Sequence, residues 1–476
     1  MQPFVLHEDQ EKAVAFILEN KEVLLKAPTG AGKTLVAVES MRQAGAKRVL
    51  IIAPLGTESG WRKTIERQFG DSIEYRYCHN KRVAGKRAIE DLFTGKPGAY
   101  FIGRELFKRY SWRKVKVDFV TFDECHVATN RDSRMHAMLK TCKNVPYKLA
   151  MSATPAGNHM MGLWALGRWL WPKKVDRSFW SWVTKYFHTE HDPFKDSEFG
   201  EGKKVTAERV PGKLWKELPA AHKMPSVYKD KPTIHEIEVE ISQVQRKHYK
   251  ELEEEAITWL NNNPLAIDIP AVLNMRLRQI CLAVPSVRQD WVKKKDKETG
   301  LWMDAWGDVV WFEEDAKSTK IEVVLELLGD LHAEHPEPVV IFTDSRIFTT
   351  IMTKQLQAAG YRARQFVGGM SKEERDWKME NFGKEFDILV CTLQAVAEGT
   401  DGLQLVACHE IWMNVSWSPL INTQGAGRLS RQGQTRSVQR YMILAKDTVE
   451  VKQIGKLRNS QQMLDMGYGD EDGEAA

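Results

Sequence analysis

The residues best able to do chemistry lie in the stretch "APTGAGKT", Ala27–Thr34. Glycines in such a turn let backbone N–H groups face inward around phosphates, and a helix start adds its positive dipole end. Thr29, Gly30, Ala31 and Gly32 would line that cradle. Lys33 would reach the β- and γ-phosphates, and the Thr34 hydroxyl would ligate Mg²⁺. Ala27 stands where the usual pattern has its first glycine. A second pair of candidates, Asp123 and Glu124, ends the apolar run "FVTFDE". A carboxylate at a strand tip beside a phosphate loop can hold Mg²⁺ directly or through water, which suits Asp123. Glu124 is placed to orient and deprotonate an attacking water. The bland alternatives are a plain glycine turn and a solvated Asp-Glu turn, and the order of the two motifs argues against both.

Other reactive side chains carry less. His188 and His191 in "HTEH" have no further ligands nearby in sequence, so a solvated loop is expected there. The six cysteines form no C-x-x-C pair, which speaks against a zinc ribbon or a disulfide framework and for a reduced, intracellular compartment.

The elements that must position these residues follow from hydrophobic patterning. "EVLLKA", "RVLIIAP", "AYFIG", "VDFVTFDE" and "YKLAMSAT" read as strands, interleaved with helical patterns such as "KTLVAVESMRQ" and "ESGWRKTIERQF". Buried strands alternating with helices imply a parallel sheet covered on both faces. The alternation stops after Pro155. A stretch rich in Trp, Lys and Pro follows, then "ISQVQRKHYKELEEEAITWL" and "IPAVLNMRLRQICLAV" as long helices, and "WVKKKDKETGLWMDAWGD" as a polar hairpin or loop. Alternation resumes near Ser318 with the helix "KIEVVLELLGDLHA" and the strands "PVVIFT", "RARQFV", "FDILVCTL", "EIWMN" and "VQRYMILA". The expected organisation is an α/β lobe at 1–160, a Trp-rich helical insertion at 161–235, a helical protrusion or linker at 236–315, and a second α/β lobe at 316–476. The tail "GYGDEDGEAA" is acidic and expected to be disordered.

The 476 residues exceed one compact core, and 42% hydrophobic with 28% charged residues describes an ordinary globular chain. A net charge of +5 permits a polyanionic partner without demanding one. The N-terminus has no apolar signal core and no segment approaches a membrane span. The run "GRELFKRYSWRKVK" interleaves Arg104, Lys108, Arg109, Arg113, Lys114 and Lys116 with Trp112. It suits either a backbone-tracking surface or a solvated face. Trp164, Trp169, Trp171, Trp180 and Trp182 suit packing of a small subdomain better than a duplex wedge.

"APTGAGKT", "DECH" and "SATP" resemble motifs I, II and III of superfamily-two helicases, and "QGAGRLSRQGQ" resembles motif VI. "APLGTESGWRKTI", "MRLRQICLAVP" and "EGTDGLQLVACHEIWMNVSWSPLINTQGAGRLSRQGQ" are similar to the Swi/Snf-type double-stranded DNA translocases. The resemblance implies two RecA-like P-loop lobes with parallel sheets, ATP in the cleft between them, and Mg²⁺. It places Gln10 as the adenine-reading glutamine, and Arg428 and Arg431 as motif VI arginines that neutralise the transferring phosphate. Gly399 and Asp401 match motif V, between nucleotide and nucleic acid, while Ser152 and Thr154 would link the ATP site to the DNA track. The chain departs from the family at Cys125, at "SAT", and where paired arginines are expected near "HKMPSVYKDKP". The expected function is an ATP-dependent DNA translocase or helicase, a monomeric motor that prefers duplex DNA, with forks possible. An RNA helicase, or a nucleic-acid-binding subunit with little intrinsic ATPase, is the alternative. The expected setting is the cytoplasm of a bacterial or phage-infected cell, with the nucleus as the alternative.

Overall fold

The computed structural model describes residues 2–80, 83–142, 144–191, 203–225, 231–260, 263–266, 270–295, 302–397 and 400–468. The chain divides into two units, Met1–Lys229 with Asn459–Ala476, and Asp230–Arg458.

The first unit begins with helix α1 (Glu8–Asn20), strand β1 (Glu22–Lys26) and helix α2 (Lys33–Gln43). It continues with β2 (Arg48–Ala53), helix α3 (Glu58–Phe69), β3 (Tyr75–Cys78), β4 (Gly98–Gly103), β5 (Phe119–Asp123) and β6 (Tyr147–Ser152). The strands are β-branched and aromatic runs without polar alternation, and Val49–Ala53 and Phe119–Phe122 are wholly buried. Such strands need cover on both faces, which the crossover helices supply. All pairings in the sheet β3-β4-β2-β5-β6-β1 are parallel. The register sets Lys26 opposite Ser152 and Asp123 opposite Met151. The carboxyl ends of β1, β5 and β6 therefore lie side by side, where open α/β sheets bind ligands.

The Trp-rich stretch is less helical than its sequence suggests. Helices Leu163–Leu170 and Phe179–Tyr186 lead into an antiparallel hairpin of β7 (Phe187–His191) and β8 (Lys203–Glu208). His188 and His191 thus sit exposed on a strand rather than in a loop. Strand β9 (Ala221–Lys223) then joins the sheet beside β1. Trp169, Trp171 and Trp182 are buried in the unit's core, and the Trp171 indole donates to Glu22 O at 2.7 Å, so these rings pack.

The second unit opens with β10 (Thr233–Val239), so the boundary expected at 235 falls inside a strand. Helix Gln243–Glu255 stops where Ala256 turns left-handed (φ 56°), and the expected long helix gives way to the short pair β11 (Ile257–Leu260) and β12 (Asn263–Ala266). Helix Pro270–Leu282 leads to a ten-residue-per-strand hairpin, β13 (Ser286–Lys295) with β14 (Trp302–Trp311). Strands β15 (Val339–Thr343), β16 (Ala363–Phe366), β17 (Ile388–Thr392), β18 (His409–Trp412) and β19 (Gln439–Ala445) complete a parallel sheet ordered β10-β19-β18-β15-β17-β16. Lys320 is fully buried there. Its ammonium meets Glu450 at 2.6 Å and donates to Ile443 O at 2.8 Å, so the charge is paired and hydrogen-bonded as burial requires.

The last helix, Val449–Gly467, ends at Tyr468, which is buried in the core of the first unit. The tail expected to be disordered therefore begins with an anchored residue, and 469–476 lie outside the described residues.

Candidate active site

The loop after β1 is shaped by two left-handed glycines, Gly30 (φ 83°) and Gly32 (φ 78°). The left-handed backbone at Gly32 strains any other residue, and a Cβ there would also stand 2.3 Å from the Gln10 amide nitrogen and displace it. Gln10 is buried, donates from Nε2 to Ala31 O at 3.1 Å and accepts from His7 N at 3.0 Å. Its amide thus braces the turn formed by Thr29, Gly30, Ala31 and Gly32. Lys33 opens α2 and donates to Ala27 O (3.0 Å) and Pro28 O (3.1 Å), which holds its ammonium within the loop. Thr34 follows it in the first turn, half-buried. The far side of α2 is fixed by Glu39, held down to about 2 mainly by its bond to Arg42, and by Gln68 of α3, whose Nε2 donates to Glu39 at 3.1 Å.

At the neighbouring strand end Asp123 is 6% exposed. It accepts from Trp61 Nε1 at 3.4 Å and from Glu124 N at 3.0 Å. Burial, then the charge of Glu124, raises its affinity for a proton, while the Lys33 ammonium opposes this. For Glu124, burial acts upward but is outweighed by His126 and Lys33, and the carboxyl is held low. Glu124 has a left-handed backbone (φ 51°), a conformation that costs a non-glycine residue about 1–3 kcal/mol. That turn aims its carboxylate at the end of β6. Ser152 Oγ donates to Glu124 Oε2 at 3.0 Å, and His126 Nδ1 lies 3.2 Å from the same oxygen and 3.1 Å from Ser152 Oγ. Thr154 N donates to Ser152 Oγ at 3.1 Å. "DECH" and "SATP" are therefore one hydrogen-bonded unit.

Lys33, Thr34, Asp123 and Glu124 all belong to the first unit and converge on one edge of its sheet. Trp61 and His126 also belong to this constellation and were not singled out from the sequence. The Trp61 signal was its place in "APLGTESGW", and that of His126 its place in "DECH". In the second unit Arg431 pairs with Asp401 at 3.3 Å, and Arg428 donates to Thr400 O at 2.8 Å. These contacts tie "EGTDG" to "QGAGRLSR". Gly399 lies outside the described residues.

A DEAD/DEAH box helicase model matches residues 7–161, and the helicase conserved C-terminal domain matches residues 319–433. These spans contain every residue placed above in the two motif sets. The two models fall one on each motif set, so the chain carries the paired domains of a DEAD/DEAH box helicase. The chain is 23% identical over 450 residues to a putative ATP-dependent helicase/translocase of Bacillus subtilis, covering 91% of this chain and 45% of that protein. It is 22% identical over 490 residues to a chromodomain-helicase-DNA-binding protein 1-like of Danio rerio, covering 98% of this chain and 44% of that one. The chain thus spans less than half the length of these relatives. The Sulfolobus solfataricus SWI2/SNF2 ATPase core in complex with dsDNA is 18% identical and covers 99% of this chain and 94% of that one, with a TM-score of 0.41. Among the described residues no helix is long and apolar enough to cross a membrane.

Proposed function

We propose that the chain is an ATP-driven, Mg²⁺-dependent DNA translocase. The observation that carries this reading is the hydrogen-bonded line from Asp123 through Glu124 and Ser152 to Thr154, beside a glycine cradle that holds Lys33. Bound ATP and Mg²⁺ would supply the phosphoanhydride and a charge to neutralise it. Backbone N–H groups of Gly30–Lys33 and the Lys33 ammonium would bind the phosphates. Thr34 and Asp123 would hold the ion. Glu124, aimed by its left-handed turn, would orient water and accept its proton. Arg431, and behind it Arg428, neutralise charge in the transition state. Gln10 reads the base from its post against the cradle.

The substrate reading is duplex DNA held by its phosphates. It is supported by the similarity to the Danio rerio DNA-binding relative and by the exposed Arg109, Arg113, Lys114 and Lys116 of the first unit. Phosphate contacts are sequence-independent and release counterions. ATPase rate measured with duplex DNA, single strands, forks and RNA tests the proposal. Stimulation by duplex of any sequence, falling steeply with salt, is expected, together with displacement of a triplex third strand. Stimulation by RNA alone, or strong unwinding without triplex displacement, overturns it.

A further inference from the structure

The second unit carries a cluster that the ATPase does not use. Its strands are parallel, so β15 and β18 begin at the same edge, with Val339 opposite His409. That register brings Glu337, just before β15, beside Cys408 and His409 at the start of β18. The Glu337 carboxylate, the Cys408 sulfur and the His409 imidazole all lie within 4.8 Å of one another, the one such group of three ligand types among the described residues. His409 Nδ1 is buried without a hydrogen-bond partner among the described residues. His335 Nε2 stands 2.9 Å from Glu337 Oε1 on the outer side of the group. A buried imidazole nitrogen left unpaired costs free energy, and a metal ion is one group that satisfies it.

We propose that Glu337, Cys408 and His409 form a three-ligand Zn²⁺ site on the second unit, with water as the fourth ligand. Thiolate and imidazole together select a borderline-soft ion such as Zn²⁺ over the oxygen-seeking Mg²⁺. Ligand atoms around tetrahedral Zn²⁺ stand about 3.5 Å apart, so closure requires the group to contract by about 1 Å. Zn²⁺ binds the thiolate, so the Cys408 thiol proton passes to solvent as the S–Zn bond forms. The competitor is Arg436, which holds Glu337 Oε2 at 2.9 Å and would have to yield or share that carboxylate. Without a metal, Glu337 is held by this ion pair and by His335 Nε2.

The two are separated by titrating the full-length protein with Co²⁺ in the presence of Mg²⁺. One equivalent giving a thiolate-to-metal charge-transfer band and tetrahedral ligand-field bands, both displaced by Zn²⁺, is the expected result. Zn²⁺ should also raise the unfolding temperature. Cys408→Ser should abolish the charge-transfer band, and Glu337→Gln, at the partly exposed rim, should weaken Zn²⁺ by at least about tenfold without altering the fold. Absence of the band in the unaltered protein, or its persistence in Cys408→Ser, overturns the site. So does Zn²⁺ affinity unchanged in a folded Glu337→Gln.

Discussion

Glu124 joins two roles that conflict in an ordinary residue, since its backbone is strained and its carboxylate is the candidate base. The strain is sustained by Ser152 and His126, which both address Oε2. Glu124→Gln keeps the shape but loses the charge, and Lys33→Ala loses the phosphate contact. Both variants should bind DNA and fail to turn over ATP, and Glu124→Gln should still bind nucleotide. Turnover assays on folded protein check this, and near-normal rates in either would refute the assignment. Arg431 and Arg428 should separate in kind. Arg431→Ala should lower kcat by at least about tenfold with a smaller change in nucleotide affinity, because its contact belongs to the transition state. Arg428 is 8% exposed and braces Thr400, so Arg428→Ala should also lower the stability of the second unit. Steady-state kinetics paired with thermal unfolding distinguishes the two.

At the scale of elements, the basic run 104–116 resolves into two faces. Trp112 is buried, stacked on Phe107 with ring centroids 4.8 Å apart, and its indole donates to Phe107 O at 3.0 Å. It cannot offer a surface for bases, so the aromatic half of that expectation is corrected. Trp112→Ala should destabilise the first unit by about 3–5 kcal/mol. Charge reversal at Arg113, Lys114 and Lys116 should leave stability alone and weaken DNA binding, with a shallower salt dependence. Unfolding curves and binding isotherms at several salt concentrations read the two effects apart. This contrast shows what sequence conveys. "APTGAGKT" and "DECH" were legible because each motif is contiguous, and local chemistry demands its residues at fixed spacing. The two sheets were legible because a strand buried on both faces has no polar alternation. Whether Trp112 points in or out depends on Phe107 and Phe93 across a turn. Where helix Gln243–Glu255 stops depends on one left-handed residue, Ala256. The Glu337–Cys408–His409 group is assembled by strand register over some seventy residues of chain, and no window of sequence displays it.

At the scale of the whole molecule, the first unit is discontinuous in sequence: it takes Met1–Lys229 and then Asn459–Ala476. The stitch is Tyr468. Its hydroxyl accepts from Ala156 N at 2.9 Å, its ring meets Trp215 edge-on at 5.0 Å, and the Lys26 ammonium lies 4.4 Å from the ring centroid. Lys26 ends the strand that feeds the phosphate loop, and Ala156 follows "SATP", so one side chain touches both. Tyr468→Phe should cost about 1–3 kcal/mol by leaving the Ala156 N–H unpaired, and Tyr468→Ala more. Denaturant melts of the two variants test this. The same seat bears on how the protein is born. A ribosome adding about 5–20 residues per second needs roughly ten to fifty seconds to travel from the end of the first segment to Tyr468. Until Tyr468 emerges, the amino-terminal unit lacks the side chain that holds Ala156 N and packs on Trp215, so these last contacts form only after the second unit has been synthesised.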